Sequence, residues 1–331
     1  MKNGPLIIVT GAAGMIGSGV VRHLNEQGHR NLLLVDDLKA GDKWKNLIGK
    51  QFVDLISKHA ILPWLVGREN EVDAIVHLGA CSDTVETNAD YLMENNFRFS
   101  VRLAEWALQW DKRFIYASSA ATYGDGTLGF ADEESQLESL RPLNMYGFSK
   151  HLVDLWMQRE GVLNRVVGLK YFNVFGPNED HKGRMASMIW KMTQKAQTEG
   201  VIHLYKSNDA KYPDGGQMRD FIYLKDAVKM TCALLDPKYR NVCGIFNIGQ
   251  GKPTTWNTLA DALFKALQKR PQIGYIDMPP ELMRQYQNYT CATMDKFHKI
   301  FSSDPKRVAT LPIESAVHEY VQEYLMKNAR W

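Results

Sequence analysis

Tyr146 and Lys150 stand four positions apart in the stretch Asn144-Met145-Tyr146-Gly147-Phe148-Ser149-Lys150. On a helix that spacing puts both side chains on one face, about one turn apart. A phenol titrates near pH ~10 and is a poor base at neutrality. A neighbouring ammonium favours the phenolate, so the pair could exchange a proton with a substrate hydroxyl at physiological pH. The spacing alone decides little. With lysine at roughly 6% of residues, the chain's 14 tyrosines yield about one such pair by chance. Weight comes from a glycine turn upstream and a serine-rich segment between the two.

The glycine turn is Thr10-Gly11-Ala12-Ala13-Gly14-Met15-Ile16-Gly17, which follows the apolar run Leu6-Ile7-Ile8-Val9 and opens a helical pattern. Gly11 suits a tight turn, Gly14 lets backbone approach a pyrophosphate, and Gly17 lets helix pack on strand. The helix N-terminus then presents unpaired N–H groups and a positive dipole end to phosphate. The spacing is G-x-x-G-x-x-G, not the broader G-x-G-x-x-G fingerprint. Asp36 ends the run Leu32-Leu33-Leu34-Val35, about 20 residues on, where a carboxylate accepts a ribose 2′-hydroxyl and reads as NAD. Asp37, Lys39 and Lys43 follow, and a lysine there could neutralise a 2′-phosphate, so NAD and NADP both stay open.

Leu78-Gly79-Ala80-Cys81-Ser82 ends another apolar run, with small residues that permit close approach of a cofactor. Cys81 reads as a small filler, since no base or cationic partner accompanies it. Ser118 and Ser119, in Tyr116-Ala117-Ser118-Ser119-Ala120-Ala121-Thr122-Tyr123-Gly124, end the next run. A hydroxyl there, one crossover from Tyr146, could steady a substrate oxygen during hydride transfer.

These residues need a scaffold. Strands are expected at 6–9, 31–35, 74–78, 114–117 and 166–171, with helices at 15–25, 91–110 and 145–160. Such alternation implies crossover connections, hence an α/β fold with a doubly wound parallel sheet and helices on both faces. Gly244–Ile248 is expected to rejoin that sheet. After Gly176-Pro177 the composition turns to charge, glycine and loop signals. The expected division is a dinucleotide-binding domain at 1–177 and about 221–262, and a smaller discontinuous substrate lobe at about 178–220 and 263–331. That lobe would close over the sheet's carboxyl edge, where ligands of open α/β sheets bind.

Bulk properties exclude several classes. The 331 residues suffice for a large core, and 45% hydrophobic with 23% charged is ordinary for a globular protein. A net charge of +3 gives no argument for a nucleic-acid or membrane partner. No window approaches the ~18 apolar residues of a membrane span. Cys81, Cys232, Cys243 and Cys291 lack paired spacing, so neither a metal site nor a disulfide framework is expected, and a reducing cytoplasm fits.

The set Gly11, Gly14, Gly17, Asp36, Ser119, Tyr146 and Lys150 resembles the extended short-chain dehydrogenase/reductase family. The resemblance implies a Rossmann domain, a tyrosine acid/base, a lysine that binds the nicotinamide ribose and lowers the tyrosine pKa, and a serine that orients the substrate oxygen. Ser118 to Gly124, Tyr171-Phe172-Asn173-Val174-Phe175-Gly176-Pro177, Arg219-Asp220-Phe221 and Arg284-Gln285-Tyr286-Gln287 extend the likeness from Ile7 to about Tyr320. The segment His181-Lys182-Gly183-Arg184-Met185-Ala186-Ser187 narrows it to the branch of that family that epimerises ADP-heptose at C6, in lipopolysaccharide core synthesis.

That narrower resemblance implies tightly held NADP, with NAD an alternative, and a 6-keto intermediate made and consumed in one site. It also implies an ADP-sugar substrate, a homo-oligomer, and two bases, Tyr146 and Lys182. A lysine must be desolvated or lie near other cations to serve as a base near neutrality, and Arg184 is the expected neighbour. By position, Met15, Ile16, Asp36, Asp37, Lys43, Lys58, Leu78, Gly79, Ala80, Cys81, Ser82, Asn95, Lys150 and Val174 would line the cofactor site. Ser119, Asn173, Arg184, Lys191, Tyr205, Arg219 and Tyr286 would hold the ADP-sugar. Arg184, Lys191 and Asp37 depart from the family pattern, which has a small polar residue, a histidine and an asparagine there.

A UDP-hexose 4-epimerase of the same family is the nearest alternative, but it leaves Lys182 and its flanks unexplained. A dehydratase would carry an acid pair where Ala120 and Ala121 stand. A regulator that had lost catalysis has no need to keep Ser119, Tyr146 and Lys150 together.

Overall fold

The computed structural model describes residues 4–283 and 286–331, so Arg284 and Gln285 of the late motif lie outside the described residues. Among the described residues there are twelve strands: β1 (Leu6–Thr10), β2 (Leu32–Val35), β3 (Asp54–Ile56), β4 (Val72–His77), β5 (Arg113–Ser119), β6 (Val167–Tyr171), β7 (Asn173–Phe175), β8 (Ile202–Tyr205), β9 (Met218–Tyr223), β10 (Gly244–Ile248), β11 (Pro253–Thr255) and β12 (Ile273–Ile276). Seven form one parallel sheet in the order β10-β6-β5-β4-β1-β2-β3. A strand buried on both faces has no need to alternate polar with apolar, which is why β1, β2 and β6 read as nearly unbroken apolar runs. Ile7 and Val9 pack on one face with Val20, Val21 and Leu24 of the Met15–Glu26 helix. Leu6 and Ile8 pack on the other with Leu103, Ala107, Val153 and Met157. The fold is therefore doubly wound, as expected from the alternation.

The expected strands all form, and Gly244–Ile248 does rejoin the sheet beside β6. The edge strand β3 was not anticipated: three residues, none of them buried, carry no alternation to detect. The helix expected at 91–110 is a composite. It runs as Ala89–Leu92, then a wider π turn at Met93–Arg98, then Phe99–Gln109.

A second core lies beside the sheet's carboxyl edge. Phe175, Ile189, Leu204, Phe221, Tyr223, Leu259, Phe264 and Val317 contribute to it. Two small sheets frame it, one ordered β11-β9-β7 and one pairing β12 with β8. Sheet order reverses between β1 and β4, where neighbouring chains leave in opposite directions and open a crevice.

Candidate active site

The crevice is a cavity of about 300 Å³ at the carboxyl ends of β1, β4 and β5. Its floor is the glycine turn. Gly11 has φ +65°, and a Cβ there would come within 2.7 Å of the Gly79 nitrogen. A Cβ on Gly17 would meet the Gly11 carbonyl at 2.1 Å, so neither position admits a side chain. Gly14 caps the Met15–Glu26 helix with no side-chain acceptor and no acidic residue in the first turn, which leaves N–H groups free to face an anion.

Two carboxylates, which follow β2, border the cavity. Asp36 accepts from the Ala13 N–H at 2.8 Å and from Lys43 Nζ at 2.5 Å. Asp37 accepts from Ser57 Oγ at 2.7 Å and lies 3.5 Å from Lys58 Nζ, which also donates to Asn95 Oδ1. Lys39, Lys43 and Lys58 line the same cavity, three cations against the two acids, and His181, whose pKa burial lowers, lines it too.

The helix Met145–Arg159 carries Tyr146 and Lys150. Asn144 caps it, accepting from the Gly147 N–H at 2.8 Å, and this fixes the first turn against the end of β5. A Cβ on Gly147 would lie 2.8 Å from the Ala121 carbonyl, so the approach is as close as backbone allows. Tyr146 and Lys150 both line the cavity. Burial pushes the Tyr146 phenol up, and the Ser119 hydroxyl pulls it part of the way back. Burial also brings the Lys150 ammonium down to about 8, against the attraction of Asp154.

Lys182 also lines the cavity, from the short helical run Asp180–Met185. Burial and the neighbouring Lys191 lower its pKa, while Glu179 raises it. Arg184 takes no such part: it is exposed and pairs with Asp83 at 2.5 Å. The cation beside Lys182 is thus Lys191, whose proximity depends on the Met188–Thr198 helix folding back and cannot be read from adjacency in sequence. Glu179 anchors the run by accepting from Ser187 Oγ at 2.7 Å and the Tyr320 hydroxyl at 2.9 Å. The Asn46 amide donates to the Ala13 and Asn178 carbonyls at 3.0 and 3.1 Å, tying the glycine turn to this wall.

Gly11, Gly14, Met15, Ile16, Gly17, Asp36, Asp37, Lys43, Lys58, Leu78, Gly79, Ala80, Ser82, Asn95 and Val174 line the cavity with Tyr146, Lys150 and Lys182. Cys81 and Ser119 stand just behind its wall. Arg219, Tyr205 and Tyr286 do not line this cavity and gather separately. Arg219 lies 4.9 Å from the Tyr286 ring, and Trp256 Nε1 donates to the Tyr286 hydroxyl at 2.9 Å. Asn173 Nδ2 donates to the Asp220 carbonyl at 3.1 Å.

Sequence reasoning missed Asn96 and His77. Asn96 Oδ1 accepts from the Cys81 N–H at 2.8 Å and its Nδ2 donates to the Cys81 carbonyl at 3.0 Å. That amide also donates to Ser149 Oγ on the helix that bears Tyr146 and Lys150. His77 bridges Thr10 Oγ1 at 2.7 Å and Ser100 Oγ at 2.8 Å, and burial, helped by Lys150, lowers it to about 3. It is neutral. Ser100 donates to the Asn96 carbonyl, so His77 must donate through Nε2 and accept the Thr10 hydroxyl at Nδ1.

The profile described as the NAD dependent epimerase/dehydratase family matches residues 7–249. The chain is 49% identical to the ADP-L-glycero-D-manno-heptose-6-epimerase of Nitratidesulfovibrio vulgaris, over 97% of this chain and 98% of that one. It is 42% identical to the Fusobacterium nucleatum protein of the same name, over 98% and 99%. The solved ADP-L-glycero-D-manno-heptose-6-epimerase of Helicobacter pylori superposes with a TM-score of 0.78 at 26% identity, covering 97% and 96%. A UDP-N-acetylglucosamine 4-epimerase from Methanobrevibacter ruminantium, 23% identical with TM-score 0.78 over 99% and 100%, shares the fold.

Proposed function

This chain belongs to the NAD dependent epimerase/dehydratase family, and from that footing we propose that it interconverts ADP-D-glycero- and ADP-L-glycero-D-manno-heptose through a 6-keto intermediate, supplying heptose for lipopolysaccharide core. The observation that carries this reading is the meeting of Tyr146 and Lys182 in one cavity beside the glycine turn. A single base suffices to oxidise one hydroxyl. Two bases on different elements suit two epimers, whose hydroxyls point in different directions from one fixed hydride carrier.

The residues present fit a nicotinamide dinucleotide: the glycine cradle leaves no room for a Cβ, and the uncapped helix end suits a pyrophosphate. When bound, it would take a hydride from C6 and return it. Lys39, Lys43 and Lys58 favour NADP, because Lys43 and Lys58 offset Asp36 and Asp37 and Lys39 adds a further positive charge. The Lys150 ammonium would hold the nicotinamide ribose. Tyr146 accepts the C6 hydroxyl proton of one epimer and Lys182 that of the other, while Ser119 steadies the substrate oxygen. Arg219, flanked by Tyr286 and Trp256, suits bidentate contact with the ADP pyrophosphate.

The test is to incubate the purified protein with ADP-D-glycero-D-manno-heptose and no added cofactor, and to follow the 6-epimer by chromatography. Mass spectrometry of the nucleotide released on denaturation should find NADP. Failure to form the epimer, or consumption of NADPH in step with substrate, would overturn the epimerase reading.

A further inference from the structure

One turn beyond Lys150 on the catalytic helix lies Asp154, fully buried, paired with the fully buried Lys170 of β6 at 2.8 Å. Neither group lines the cavity, though the Asp154 charge raises the Lys150 pKa. Asp154 also accepts from the Tyr116 hydroxyl at 3.0 Å and from Ser118 Oγ at 2.8 Å, both on β5. Lys170 Nζ donates a second bond, 2.6 Å long, to Thr122 Oγ1. Thr122 in turn donates to the Ser119 carbonyl at 2.8 Å. Gly168 makes the room: a Cβ there would stand 2.5 Å from the Tyr116 hydroxyl.

Stability does not account for this pair. Removing two charges from water commonly costs as much as their attraction returns, and well-packed apolar residues often serve as well or better. What the pair supplies is geometry. Its bonds join four separate segments: the helix bearing Tyr146 and Lys150, β6, the end of β5, and the turn after Ser119. Across the sheet Ser118 is in register with Lys170, and Ser119 is the next residue along.

We propose that Asp154, Lys170 and Thr122 are positioning residues that fix the Ser119 hydroxyl relative to the Tyr146 phenol. The inference rests on the acid/base reading of Tyr146, and it acts through Ser119 without touching substrate. Thr122 offers the cleanest test, because Thr122→Val keeps shape and charge while breaking the link between Lys170 and the Ser119 carbonyl. In Thr122→Val, kcat should fall about tenfold, with the KM for the ADP-sugar and the content of bound nucleotide within about twofold of wild type. Thr122→Ser should restore kcat.

The double variant Asp154→Asn with Lys170→Met removes both charges together and avoids an unpaired one, so it should fold with a Tm close to wild type yet keep the low kcat. Hydrogen exchange gives a readout free of any substrate. The Ala121 amide, which donates to Ser119 Oγ at 3.1 Å, should exchange about tenfold faster in Thr122→Val. Unchanged exchange at Ala121 sinks the proposal whatever the substrate proves to be. So does wild-type kcat in the charge-free double variant. A wild-type protein inert toward ADP-heptose, with Ala121 exchange altered as expected, would count against the activity alone.

Discussion

At the Tyr146 phenol, burial and catalysis pull in opposite directions. Burial holds the proton on, and the group that favours its release is the Ser119 hydroxyl; the lowering expected from the Lys150 ammonium does not show. Tyr146→Phe should keep its bound nucleotide and lose about 10²- to 10⁴-fold in turnover, the usual weight of a general acid/base. Lys182→Met should slow both directions of epimerisation in the same assay. Wild-type interconversion by the Lys182 variant would remove the second base. Lys150 sets a pH limit. Its folded value of about 8 lies below the ordinary 10.5, so it is cationic below about 8 and neutral above. Nucleotide-free protein should therefore bind NADPH more weakly as pH rises through about 8, followed by fluorescence titration. A flat affinity from pH 6.5 to 9.5 would exclude the ammonium as a ligand. For stability the sign is reversed. The unfolded chain holds the proton up to about 10.5, so Lys150 costs stability below about 8, and that cost fades as pH rises toward 10.5.

At the scale of elements, the π turn at Met93–Arg98 decides what the site can hold. It lets neighbouring asparagines both work inward, Asn95 on Lys58 and Asn96 on the Cys81 backbone. Extra residues per turn often mark functional positions in helices. Asn96→Ala leaves a buried N–H and carbonyl of Cys81 without partners and should cost about 2–4 kcal/mol. Urea unfolding measures this, and a loss below about 1 kcal/mol would mean water replaces the amide. The sequence showed what is local. The glycine turn, the apolar runs of β1, β2 and β6, and the Tyr146-Lys150 spacing carry their own signals. It could not show the π turn, because the run 91–110 has the periodicity of an ordinary helix. Nor could it show Asn96, His77, Trp256 or the Asp154–Lys170 link. Each matters through a partner 15 or more residues away, met only once the sheet has formed.

Across the whole molecule, one sheet supplies the cofactor floor and a second core supplies the groups proposed for the ADP-sugar. Asp220 binds the two: it accepts from the Gln250, Gly251 and Ala292 N–H groups at 2.7, 2.9 and 2.9 Å. The large sheet itself ends unequally. On one side β3 is short and half-exposed, a blunt edge that offers little to another chain. On the other side β6 is buried along its length and covered by β10. The covering strand is made late, since Tyr171 and Ile248 are 77 positions apart. At about 5–20 residues per second, a ribosome leaves the flank of β6 bare for roughly 4–15 s. In that interval the nascent chain carries an open, mostly apolar template for strand addition. Fragments released at residue 200 should therefore aggregate at micromolar concentration or be captured by chaperones, and a soluble monomeric fragment would contradict this. The order in which this fold is written thus makes its own synthesis the period of greatest exposure.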